Sequence, residues 1–124
     1  MITLKRIFDP EIFLEIAKQI IKIKNFDLEG SIRTGIGRSY YAAFLKSFMK
    51  LRSLGESFPD DQRIHSEVRR ILHKRKKSNI ASKLNKLFEL RVTADYKLQA
   101  RIDRNMYQES IILSENIINN IDLL

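Results

Sequence analysis

Apolar residues recur every three or four positions through most of this chain, and no segment alternates with the period of two that a half-buried strand requires. The first such run opens at Asp9-Pro10-Glu11, where an acid can cap the first turn and proline loses nothing by lacking an N–H. It predicts a helix from there to about Lys24. Ile12, Ile16, Ile20 and Ile23, with Phe13, Ala17 and Ile21 alongside, are expected to form its buried face. After a turn at Asn25 to Asp27, a second helix is predicted from Leu28 or Glu29 to Ser53. Its broad stripe of Ile32, Ile36, Tyr40, Ala43, Phe44, Phe48 and Leu51 marks it as the central element.

Gly35 and Gly37 fall inside that stripe. Each costs about 1 kcal/mol relative to alanine within a helix, so their presence predicts close approach of another backbone. Gly55 to Pro59 forms a loop. Asp60 or Asp61 can cap a third helix to about His73, Ser78 a fourth over Asn79 to about Leu98, and Asp103 a fifth over Arg104 to Ile121. The prediction is an all-α bundle of about five helices in one domain, residues 1–124, because 124 residues with 44% hydrophobic content make one core and not two.

Composition narrows the chemistry. Cysteine is absent, so no disulfide, thiolate metal site or thiol nucleophile is available, and no metal or cofactor is expected. The longest apolar run, Tyr40 to Leu45, is far short of the roughly 20 residues of a membrane span. Met1 to Phe8 lacks the apolar core of a secretory signal, which predicts a cytoplasmic protein without membrane attachment.

The net charge of +8 is concentrated. Between Gln62 and Lys77 lie Arg63, Arg69, Arg70, Lys74, Arg75, Lys76 and Lys77 against the single acid Glu67, whereas the segment from Asn105 onward carries only Glu109, Glu115 and Asp122. Such a patch predicts salt-dependent attraction of polyanions, and Arg69, Arg70, Lys74 and Arg75 are its candidate contacts. On its own this pattern also describes a non-specific helical nucleic-acid-binding protein working through residues 63–77.

Two segments carry a resemblance. Ser31-Ile32-Arg33-Thr34-Gly35-Ile36-Gly37-Arg38-Ser39-Tyr40-Tyr41-Ala42-Ala43-Phe44, followed by His65 and by Arg91-Val92-Thr93-Ala94-Asp95-Tyr96, resembles the HEPN domain, named for higher eukaryotes and prokaryotes nucleotide-binding. The resemblance covers roughly Glu11 to Tyr96. It implies an up-and-down helical bundle, a homodimer, and a polar cleft at the dimer interface where arginines meet RNA or a nucleotide. It also implies a role in a toxin-antitoxin or defence system, with a minimal nucleotidyltransferase antitoxin as partner.

Under that resemblance Arg38, Arg91, Tyr96 and His65 are the candidate catalytic residues, and Arg38, Arg91 and Asp95 bind the nucleic acid or nucleotide. The nuclease members of the family cut RNA without metal by setting a histidine after an arginine with four to six residues between them. Histidine exchanges a proton near neutral pH and arginine stabilises charge on the phosphate. This chain has Leu45 seven positions after Arg38 and Tyr96 five after Arg91, while Arg69 and His73 are one residue too close. A degenerate, binding-only cleft is therefore expected, with an active metal-independent endoribonuclease toxin as the alternative.

Overall fold

The computed structural model describes residues 6–124, and the reading of Met1 to Phe8 as carrying no secretory signal falls partly on residues 1–5, which lie outside them. Five helices pack together: α1 (Glu11–Ile20), α2 (Leu28–Ser53), α3 (Ile64–Lys74), α4 (Ser78–Tyr96) and α5 (Arg104–Ile121). There is no strand among the described residues, and none of the helices is long and apolar enough to cross a membrane.

The helix ends follow from local chemistry. Asp27 accepts from the Gly30 N–H at 2.9 Å and Asp103 from the Met106 N–H at 3.0 Å, which are the side-chain caps of α2 and α5. Both α2 and α3 close with paired bonds around a left-handed residue. In α2 this is Gly55, with the Glu56 N–H reaching Leu51 O at 3.1 Å. In α3 it is Lys76 at φ 61°, with the Lys77 N–H reaching Leu72 O at 2.8 Å.

Three expected ends shift. α1 stops at Ile20, short of Lys24, because the chain tightens into i→i−3 bonds from Lys22 to Gln19 and from Ile23 to Ile20. α3 starts at Ile64, since Asp61 spends its carboxylate on the N–H and guanidinium of Arg63 and so makes a turn before the helix. Ser78 begins α4 without capping it, its hydroxyl being engaged by His73 Nδ1 at 2.9 Å.

α2 is central, touching all four other helices and packing most extensively on α5. Its residues at every fourth position, Ser31, Gly35, Ser39, Ala43 and Ser47, are small and buried, which lets α5 approach closely. A Cβ on Gly35 would lie 2.7 Å from the ring of Tyr107, whose hydroxyl donates to Ala17 O at 2.6 Å. Gly35 thus accommodates that ring and also the α1 backbone, whose Ala17 O would lie 3.4 Å from the same Cβ. Gly37 faces the Asp95 carboxylate at an ordinary 3.5 Å, so no close backbone explains it.

The main core joins Tyr40, Phe44 and Leu51 of α2 with Val68 and Leu72 of α3, Leu84 and Leu87 of α4, and Ile117 and Ile121 of α5. The face of α1 that turns inward carries Leu14 and Ala17, both buried. Ile12, Ile16 and Ile23, expected inside, are 44%, 45% and 46% exposed. The helix bears apolar residues around most of its circumference, and α2 and α5 select the side with the small Ala17.

Candidate functional site

The candidate site is built around Tyr41, one turn after Arg38 on α2. The guanidinium carbons of Arg38 and of Arg91 on α4 each lie 5.1 Å from the centroid of that one ring. Arg38 also sits 5.0 Å over Phe13 of α1. Arg91, with only 14% of its side chain exposed, donates from Nη2 to the Tyr41 hydroxyl at 3.0 Å and sets Nε 2.9 Å from the Asp95 carboxylate. The exposed Tyr96 ring closes over it at 5.5 Å. Helical spacing dictates these pairs, since Arg38 with Tyr41 and Arg91 with Asp95 are one turn apart and the packing of α2 on α4 joins them.

A second wall comes from α3. His65 stacks on Phe44 with centroids 4.4 Å apart, and its Nδ1 lies 2.6 Å from the hydroxyl of the fully buried Tyr40. Burial, reinforced by the positive charges of Arg91 and Arg69, holds the His65 pKa below its ordinary value, so the ring is neutral at pH 7. Burial raises the Tyr40 phenol above its ordinary range, with Arg69 and Arg91 opposing, so Tyr40 keeps its proton. If Tyr40 donates to Nδ1, the His65 proton is on Nε2 and the ring is a donor. If Nδ1 donates to Tyr40, Nε2 is a free base.

One turn beyond His65, the Arg69 guanidinium lies 4.7 Å over Phe88, with its Nη1 buried and without a hydrogen-bond partner. It also lines a polar groove of about 460 Å³ between α3 and α4, with Arg70, His73 and Asn85. Among the described residues, no carboxylate pairs with Arg38 or Arg69. Both are seated on aromatic rings, which hold the guanidinium plane without neutralising it.

The rest of the basic segment is placed differently. Arg63 pairs with Asp61 at 2.8 Å, Arg70 with Glu67 at 2.9 Å, and Arg75 with Glu56 at 2.7 Å. Arg75 therefore fastens the α2–α3 loop and Lys74 is an exposed side chain on the last turn of α3, while Arg38, Arg91, Asp95, Tyr96 and His65 are gathered around the Tyr40–Tyr41 pair, with Arg69 beside them on Phe88. Leu45, at one position where the nuclease motif has histidine, packs against the main core. No three His, Asp or Glu side chains converge as metal ligands among the described residues.

Sequence reasoning missed two contributors. Tyr41 lies in the motif segment and its spacing of three from Arg38 is visible there, but the sequence gives it no role of its own. Arg33 was not singled out, yet its Nη1 donates to Thr93 O, Ala94 O and Lys97 O and its Nη2 to Ala100 O at 2.9–3.3 Å, which secures the end of α4 beside Asp95 and Tyr96.

Among the described residues, the protein is an all-α packing of five helices that carries an arginine–aromatic cluster. No family model, curated protein or solved structure matches the chain.

Proposed function

We propose that this cluster lines a cleft that binds the phosphate groups of RNA or of a nucleotide without cleaving them, as a degenerate HEPN-type protein of a cytoplasmic toxin-antitoxin or defence system. The supporting observation is that Arg38 and Arg91 share the ring of Tyr41, with Arg38 unpaired to any carboxylate among the described residues. A planar guanidinium held on a ring keeps its N–H fork pre-organised for a phosphate, and charge-assisted bonds of this kind are the strong ones. Arg69 adds a third positive group on the α3 side.

Cleavage through the 2′-hydroxyl needs a base to take its proton and an acid for the leaving oxygen. Tyr96 is a phenol with an ordinary pKa of about 10 and serves better as a donor than as a base. His65 holds Tyr40 through Nδ1. With Leu45 packed against the core, the residues favour binding. In this reading the partners are a second copy of the chain, in an up-and-down bundle that dimerises, and a minimal nucleotidyltransferase antitoxin.

The active ribonuclease is kept as a second reading because His65 belongs to the same cluster, one ring away from Arg91. Incubating the protein with mixed RNA in EDTA, beside the Arg38→Ala, Arg91→Ala double variant, separates the two. Binding predicts intact RNA in both samples, and cleavage by the wild type alone would establish a metal-independent nuclease. The purely electrostatic reading through residues 63–77 is less favoured, since Arg63, Arg70 and Arg75 are already ion-paired.

A further inference from the structure

On the outer side of α1 and the turn after it, Ile12, Ile16, Gln19, Ile23 and Phe26 recur at steps of four, three, four and three, the spacing of a heptad seam. In the folded protein these five, with Glu15 and Ile20, line one open groove of about 420 Å³. Ile12, Ile16, Ile23 and Phe26 are between 44% and 54% exposed, a contiguous apolar strip of the kind that marks an interaction surface. The bonds from Lys22 to Gln19 and from Ile23 to Ile20 carry the helical direction past the end of α1, so the strip stays continuous.

We infer that this strip is the contact between two copies of the chain, with the two α1 helices paired antiparallel about a two-fold axis. The charge pattern selects the occupant and the direction. When Ile12 of one copy faces Ile23 of the other, and Ile16 faces Gln19, the flank of the seam brings Glu15 opposite Lys22. The two-fold repeats that pair. On the other flank Phe13 meets Ile20, apolar against apolar. A parallel pairing would instead set Glu15 against Ile20. Lys22 has no ion-pair partner among the described residues, and Glu15 is 65% exposed with only a 3.6 Å contact to Lys18, so both charges are available for the second copy. A self-complementary patch of this kind generates a closed dimer.

The arrangement has a consequence for the cleft. Phe13, on the apolar flank of the seam, is the ring under Arg38. Dimerisation therefore packs the support of Arg38 in each copy, leaving each cleft bordering the interface. The inference specifies the second-copy partner proposed above and does not depend on RNA, because its readout is mass.

The test is sedimentation equilibrium of the full chain over micromolar to millimolar concentrations, with circular dichroism as the check of folding. The wild type is expected to associate reversibly to a dimer. Ile16→Glu, which puts a carboxylate into the seam twice per dimer, is expected to raise the dissociation constant by about 100-fold or more. Glu15→Lys and Lys22→Glu should each weaken the dimer several-fold, and the double exchange should restore it. A wild type monomeric throughout would overturn the inference. So would a dimer indifferent to Ile16→Glu, or one that the double exchange fails to restore.

Discussion

His65 shows how a single side chain ties stability to pH. Its folded pKa is depressed by burial and by Arg91 and Arg69, whereas in the unfolded chain it titrates near its ordinary value of about 6.5. Below that pH the unfolded state takes up a proton that the native state resists, so stability falls as pH drops through about 6.5 toward the folded pKa. The expected outcome is a melting temperature that declines across this window in the wild type and more shallowly in His65→Gln. Identical pH profiles would show that His65 is not desolvated as described.

Gly35 and Gly37 of α2 make opposite predictions at the same scale. Gly35→Ala gains about 1 kcal/mol of helix propensity but drives a methyl into the Tyr107 ring, which is held by its bond to Ala17 O, so a net loss of about 1–2 kcal/mol is expected. Gly37→Ala meets nothing closer than 3.5 Å and should stabilise by about 0.5–1 kcal/mol. Urea denaturation of both variants checks the pair. Of the site, the turn-spaced Arg91 and Asp95 were legible in the sequence. The seat of Arg38 on Phe13 and the bond from His65 to Tyr40 were not, because they join residues 25 positions apart in both cases and depend on how the helices pack.

Among the elements, α5 was fully legible from Arg104 to Ile121, since Asp103 caps it and no glycine or proline interrupts its pattern. The inward side of α1 was not. Isoleucine and phenylalanine lie on both sides of that helix, so periodicity gives a face but cannot say which one α2 and α5 will cover. The end of α3 carries a prediction of its own. Lys76 is in the left-handed region, a conformation costly for a residue with a Cβ, at the same place in the terminal motif that Gly55 occupies after α2. Lys76→Gly should therefore raise stability by about 1 kcal/mol in thermal or urea denaturation, and a loss would mean that the lysine side chain contributes more than its backbone strain costs.

At the scale of the whole molecule, the charge of a segment is a poor guide to where arginines gather in the fold. The sequence places its largest excess at residues 63–77, yet folding pairs Arg63, Arg70 and Arg75 with carboxylates, seats Arg38 and Arg91 on the Tyr41 ring, and sets Arg69 on Phe88, which adjoins Tyr40. Lysines on the surface of such a protein contribute a general, salt-screened attraction, whereas pre-organised arginines make specific phosphate contacts. The measurement that tests this most directly is fluorescence anisotropy of a labelled single-stranded RNA with the wild type, Arg38→Ala, and the Lys74→Ala, Lys76→Ala double variant at matched salt. The account predicts that Arg38→Ala weakens binding by about tenfold or more while the lysine variant loses only a few-fold. Unchanged affinity in Arg38→Ala, with the loss confined to the lysine variant, would contradict it.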